Sequence, residues 1–172
     1  SGTTRSTEIE IDEKRPATHS GRPFRLRRDY LDMPNASLTR RVTFAAAHRY
    51  SRPDWSDEKN ESVFGACSRP NYHGHSYVCD VTVDGPIDSD TGFVVDLGML
   101  DKILAEEVRN RFDHRNINLE VPEFADGLLV PTGENLAVFI FDKVAQRLPA
   151  ANRVTSVTVA EDQTLSATYS GT

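Results

Sequence analysis

The chain has 172 residues, with 26 Asp and Glu against 20 Lys and Arg and a formal net charge of −6. That length suits one domain with an appendage and a self-sufficient core, and the acidic balance argues against nucleic acid or an anionic membrane as the main partner. No apolar run reaches the ~18 residues of a bilayer span, the polar N-terminus lacks a secretory pattern, and the two cysteines, Cys67 and Cys79, form no disulfide framework, which fits a reducing cytoplasm.

Residues 1–40 read as an N-terminal extension, net +2 against −8 for the rest, with few apolar positions. Within it residues 7–12 alternate as a short edge strand would, and His19 reads as ordinary surface. The domain is read as residues 41–172. From Arg41 the alternation Val42, Phe44, Ala46, His48 predicts a strand. Residues 51–72, rich in Pro, Asp, Ser, Asn and Gly, read as a long loop. A second strand is expected from His73 to Val83, with Tyr77, Cys79, Val81 and Val83 on the face of His73 and His75. Phe93-Val94-Val95 reads as a short extended piece. Asp96 then caps a helix whose apolar stripe, Leu97, Leu100, Ile103, Leu104 and Val108, runs to about Arg111. After a loop, Thr132 caps a second helix, with Glu134 in its first turn and Leu136, Ile140, Val144 and Leu148 along one face. Residues 153–160 and 164–169 read as a closing hairpin. Two strands, two helices and two strands make an α+β domain, with both helices on one face of an antiparallel sheet.

Three of the five histidines carry the first constellation. His73 and His75, two apart on a strand, point to one face, and His48 ends the preceding strand. Three imidazoles with a fourth position open form a catalytic rather than a structural zinc site. Cys67, in a polar loop before the pair, reads as a reactive thiol that gains thiolate character from a nearby cation or metal. Cys79 reads as core packing, with a fourth metal ligand as the alternative. Asp113-His114 follows the first helix; joined to a cysteine and a metal, the pair reads as a proton relay. Glu161, at the hairpin turn, is either a solvated turn residue or a carboxylate facing the edge of a planar ligand. Thr132 and Glu134 are accounted for as helix-start residues.

Phe44-Ala45-Ala46-Ala47-His48-Arg49, Phe64-Gly65-Ala66-Cys67, His73-Gly74-His75, Asp113-His114-Arg115-Asn116, Pro131-Thr132-Gly133-Glu134-Asn135 and Glu161 resemble, in this order, the 6-pyruvoyltetrahydropterin and 6-carboxytetrahydropterin synthases. The resemblance implies a tunnelling fold, whose four-stranded sheets join into an oligomeric barrel, a trimer stacked in pairs as a homohexamer. It implies a lyase acting on 7,8-dihydroneopterin triphosphate. Zn2+ would be held by His48, His73 and His75, proton transfer would fall to Cys67 with Asp113 and His114 from a neighbouring subunit, and the pterin edge would meet Glu161 with Thr132 and Glu134. The five residues between Cys67 and His73 are more like the pyruvoyl than the carboxy synthases. Asp162 after Glu161 departs from the pattern, where threonine is common, and the extension is longer than usual. The anionic substrate calls for local cations; Arg49, Lys59, Arg69 and Arg115 are the candidates. The alternatives are a carboxy synthase on the same substrate, a non-catalytic metal- or pterin-binding relative, and a protein stabilised by structural zinc.

Overall fold

The architecture comes from a computed structural model that describes residues 34–171. The strand read at residues 7–12 and the position of His19 lie outside the described residues. Strand β1, Asn35–His48, pairs antiparallel with β2, His73–Pro86, from Asn35 opposite Pro86 to His48 opposite His73. β3, Arg115–Asn116, is a two-residue parallel addition to β1 at Ala46 and Ala47. β4, Arg153–Ala160, pairs with β2, and β5, Ser166–Tyr169, pairs with β4, so the order is β3-β1-β2-β4-β5. The four long-range antiparallel strands are those expected.

β1 starts at Asn35, before the position where the apolar alternation sharpens. Arg40 and Arg41 hid this stretch. Both are neutralised across the surface, Arg40 by a two-pronged bond to Asp101 and Arg41 by one to Asp80 on β2. Such exposed pairs contribute little to stability, but they let a basic dipeptide sit within a strand.

Period-two alternation sorts the sheet faces. Val42, Phe44 and Ala46 of β1, Tyr77, Cys79, Val81 and Val83 of β2, and Val157 and Val159 of β4 are buried on the inner face. Thr39, Arg41 and Thr43 on the outer face are exposed. Two helices close the inner face. α1, Asp57–Phe64, belongs to the connection between β1 and β2 and is described below. α2, Leu97–Leu104, starts at Asp96, whose carboxylate accepts from the Met99 amide, and buries Leu100, Ile103 and Leu104. A π turn, Ala105–Arg109, prolongs it to Phe112. α3, Gly133–Ala145, starts at Thr132, whose hydroxyl accepts from the Asn135 amide at 3.3 Å, and buries Leu136, Ala137, Ile140 and Val144. Each fully buried aliphatic or aromatic side chain contributes about 1.5–3 kcal/mol, so this single cluster holds the domain together. Among the described residues no helix is long and apolar enough to cross a membrane.

Three expectations need correction. Residues 51–72 contain α1, capped by Ser56 and ended by Gly65 at φ 58, and then a 3-10 turn, Gly65–Ser68. α1 escapes a search for an apolar stripe because the side chain it buries is polar. Asn60 accepts from the Arg52 amide and donates to the Arg52 carbonyl, tying the helix down by hydrogen bonds rather than by a greasy face. Phe93-Val94-Val95 is not a strand. Asp88 accepts from the Thr91 amide and hydroxyl, curling the chain, and the Val94 carbonyl takes the Asn152 amide instead of a ladder partner. The connection after Phe112 also winds into two short turns, Ile117–Glu120 and Pro122–Gly127.

Candidate metal centre and adjoining pocket

The inner face of the β1–β2 pair ends in histidines. His48 lies directly across from His73, and His75 sits across from Ala46, one rung further in. Gly74, between the two, passes close to β1, where a Cβ would stand 3.3 Å from the Ala46 carbonyl oxygen. One nitrogen from each of the three rings lies within 4.8 Å of the others, and His48 Nε2 and His73 Nε2 are 3.1 Å apart. Two nitrogens each bonded at ~2.0–2.1 Å to a tetrahedral ion stand about 3.3–3.4 Å apart, so the pair is spaced as one edge of a coordination shell. Among the described residues no fourth His, Cys, Asp or Glu joins the group.

Each ring is prepared for a cation. His48 is fully buried, and its Nδ1 lies 2.9 Å from the Pro131 carbonyl oxygen. A carbonyl only accepts, so Nδ1 carries the proton and Nε2 presents its lone pair to the cluster. The Tyr77 hydroxyl oxygen stands at the same distance from Nδ1. Burial, with smaller contributions from His73 and His75, lowers the His48 pKa to about 4 against the pull of the Pro131 bond, so the ring is neutral near pH 7. Burial and His75 also lower His73. His75 Nε2 is buried without a hydrogen-bond partner. Such orphaned atoms are rare in native proteins, and a metal ion would satisfy this one.

Glu161 stands beside this centre. It follows β4 immediately and is 4% exposed, which settles the choice between solvated turn and enclosed carboxylate in favour of the second. Oε1 accepts from the Tyr50 hydroxyl at 2.5 Å, and Oε2 lies 3.8 Å from His75 Nε2. A cavity of about 260 Å3 opens next to it, lined by Tyr50, Phe64, Thr132, Glu134, Glu161 and Ala167 among others. Thr132 and Glu134 thus serve the helix start and also border this cavity.

Cys67 lies on the 3-10 turn. Its carbonyl accepts from the Tyr50 amide at 2.8 Å, pinning the turn to the end of β1. Within one chain the thiol is pushed up, first by burial and then by the charge of Glu161. Cys79 is buried, and its thiol is pushed up to about 12, chiefly by burial. It packs the core and stands apart from the histidine group.

Asp113 and His114 lie elsewhere, on the edge of β1 away from β2. Asp113 Oδ1 accepts from the Ala45 amide and the His114 amide donates to the Ala45 carbonyl. The His114 side chain is 85% exposed, and its backbone takes φ 58, a left-handed conformation uncommon outside glycine. The two side chains approach each other at 3.9 Å. Among the described residues no hydrogen bond or ion pair joins either one to Cys67. Of the candidate cations, Arg115 pairs with Glu120 and Lys59 lies 4.0 Å over the Trp55 ring. Arg49 donates to the Ser68 carbonyl and, with Arg69, lines a hollow beside the Cys67 turn.

A family model described as 6-pyruvoyl tetrahydropterin synthase matches residues 37–172. The chain belongs to the 6-pyruvoyl tetrahydropterin synthase family. That assignment makes it an enzyme of the lyase type. The 6-pyruvoyl tetrahydrobiopterin synthase of Homo sapiens is 45% identical over 114 residues, 66% of this chain and 77% of that protein. The solved structure of Caenorhabditis elegans 6-pyruvoyl tetrahydropterin synthase matches with a TM-score of 0.74 at 34% identity, across 81% of this chain and 98% of that one. The dihydroneopterin monophosphate aldolase of Pyrococcus furiosus is 30% identical over 114 residues, 66% of this chain and 79% of that protein. The fold is therefore the α+β tunnelling fold of the 6-pyruvoyl tetrahydropterin synthase family.

Two participants escaped the sequence reading. The Pro131 carbonyl is main chain and leaves no residue-type signal. Tyr50 did leave one: continuing the alternation 44, 46, 48 by one more step puts residue 50 on the face of His48. The ring of Tyr50 stands edge-on to that of His48, centroids 4.8 Å apart.

Proposed function

We propose that the chain is a zinc-dependent 6-pyruvoyltetrahydropterin synthase, eliminating triphosphate from 7,8-dihydroneopterin triphosphate. The observation that carries this reading is the convergence of three imidazoles with no fourth ligating side chain among the described residues. His48, His73 and His75 would hold the ion; when bound, it supplies Lewis-acid polarisation of the substrate's side-chain hydroxyl oxygens, making the adjacent C–H bonds more acidic.

The remaining roles fall to the chain's own groups. Glu161 accepts the two donors of the aminopyrimidine edge; such a buried carboxylate rejects rings that lack them. Thr132 and Glu134 border the ring. Cys67 takes a proton from a side-chain carbon and returns it elsewhere in the molecule, so the redox change is internal and needs no outside oxidant. Triphosphate departs with its ester oxygen, and Arg49 and Arg69 are the cations best situated to receive it.

Cys67 needs a partner to accept its proton, and among the described residues no hydrogen bond or ion pair joins Asp113 or His114 of the same chain to it. Asp113 and His114, facing outward from a strained turn, fit that task on a neighbouring copy. Hence the proposed assembly is a homo-oligomer, a hexamer of two trimeric barrels, working in the cytoplasm. Barrel closure would also cover the edges that β1, beyond its contact with β3, and β5 leave unpaired among the described residues.

The test is the product. Incubation with 7,8-dihydroneopterin triphosphate is expected to release inorganic triphosphate and a 6-pyruvoyl product by mass. A 6-carboxy product with acetaldehyde would identify a carboxy synthase instead. Cleavage of the side chain as a two-carbon aldehyde would identify an aldolase, and tight binding without turnover a non-catalytic relative.

A further inference from the structure

The hydrogen-bonding capacity of Glu161 exceeds what ligand recognition alone would use. A carboxylate offers about four acceptor sites, and a planar edge with two parallel donors fills two. One of the others is taken by the Tyr50 hydroxyl, at 2.5 Å from Oε1. Tyr50 is itself held at three points. Its amide donates to the Cys67 carbonyl. Its ring stands against His48 on one side and Phe64 on another, with centroid distances of 4.8 and 6.0 Å. The same ring lines the cavity beside Glu161.

We propose that Tyr50 is a positioning residue for recognition of the ligand edge: its hydroxyl fixes the plane of the Glu161 carboxylate so that the free lone pairs face the cavity. This rests on the reading of Glu161 as the group that accepts the 2-amino and ring N–H donors of a pterin. A glutamate has three side-chain torsions, and the last is broad. Without a tether its carboxylate samples orientations in which only one donor is met. The phenol is a suitable tether because it donates a single hydrogen bond. The same residue links the segment that carries Cys67, through its amide, to Glu161, through its hydroxyl. Tyr50 therefore sets the recognition carboxylate in a fixed relation to the histidine centre, where His75 Nε2 is 3.8 Å from Oε2.

The prediction concerns selectivity as well as affinity. With both lone pairs correctly aimed, a 2-amino-4-oxopteridine gains two charge-assisted bonds, and a 2,4-dioxopteridine, which lacks the amino group, does not. With the carboxylate free to turn, the distinction weakens.

The experiment uses the zinc-loaded full chain and three proteins: the wild type, Tyr50→Phe and Glu161→Gln. Binding of a non-reacting oxidised pterin and of the matching 2,4-dioxopteridine is measured by fluorescence titration. Metal content and thermal unfolding are recorded for each protein. The expected result for Tyr50→Phe is roughly tenfold weaker pterin binding, an affinity ratio between the two rings reduced by a similar factor, an increase in KM larger than any fall in kcat, and unchanged metal content. Tyr50→Leu, which removes the ring as well, should lose the same selectivity. Pterin affinity and ring selectivity unchanged in Tyr50→Phe, while Glu161→Gln loses both, would overturn the role of Tyr50 alone. Full pterin binding by Glu161→Gln would remove the reading beneath it. Metal loss and a large fall in unfolding temperature in Tyr50→Phe would mark the hydroxyl as structural and would also overturn the proposal.

Discussion

Two histidine-bearing regions flank the C-terminal end of β1, and they differ in one physical respect. Around His48, His73 and His75 the chain supplies a buried place for the first ring and half-buried ones for the others, a carbonyl that fixes the His48 tautomer, and a neighbouring carboxylate. Around Asp113 and His114 it supplies only the placement. The backbone is held in an uncommon conformation against Ala45, and the imidazole points to solvent. A strained backbone is kept where surrounding structure over-determines it, often at functional sites. The contrast separates a group of side chains gathered within one chain from a pair held ready at its surface.

The largest expected effect comes from breaking the gathered group. His75→Ala should take bound zinc from one per chain to none, by atomic emission, and lower turnover roughly 10³-fold or more. The circular dichroism spectrum should persist, because the core does not run through this ring. Unfolding on metal loss would favour a structural zinc instead. Next is Cys67→Ala, expected to cost about 10²–10⁴-fold in kcat with metal content and pterin binding retained. Unchanged turnover would remove Cys67 from the chemistry.

The comparison is sharpened by mixing. Cys67→Ala and His114→Ala, each inactive alone, should recover about a quarter of wild-type activity when unfolded together and refolded, the share of interfaces that pair two intact halves in a symmetric assembly. No recovery would mean that both groups act within one chain. The smallest effect is on stability. In the metal-free protein His48 is held near 4 against 6.5 for a free histidine. Below pH 6.5 the unfolded chain takes up a proton that the folded chain refuses, so stability present above that pH is lost as pH falls toward 4, on the order of 3 kcal/mol. Denaturant titrations of the wild type and His48→Gln should show this slope in the first and a weaker one in the second.

Much of this was legible in the residues, because period-two and helical patterns report burial directly. The alternation through Val42, Phe44, Ala46 and His48 and the stripe of α2 both lie in the structure where the pattern put them. The caps at Asp96 and Thr132 were equally readable, since short polar side chains at helix starts have a local task. α1 was not, because its one buried side chain is an asparagine and its stability is made of hydrogen bonds. The enclosure of Glu161 was also hidden. It depends on Tyr50, more than a hundred residues earlier, and no local pattern reports a contact across that separation. That no hydrogen bond or ion pair joins Asp113 or His114 to Cys67 among the described residues is likewise a property of topology rather than of sequence spacing.

The central claim is that three imidazoles hold one ion and leave a position for substrate. X-ray absorption at the zinc edge of the loaded protein tests it most directly. Three nitrogen scatterers at about 2.0–2.1 Å and one exchangeable light atom are expected, with that last shell changing when a pterin carrying a dihydroxyalkyl side chain is added. A sulfur scatterer at ~2.3 Å, or a fourth protein ligand that no pterin displaces, would contradict it.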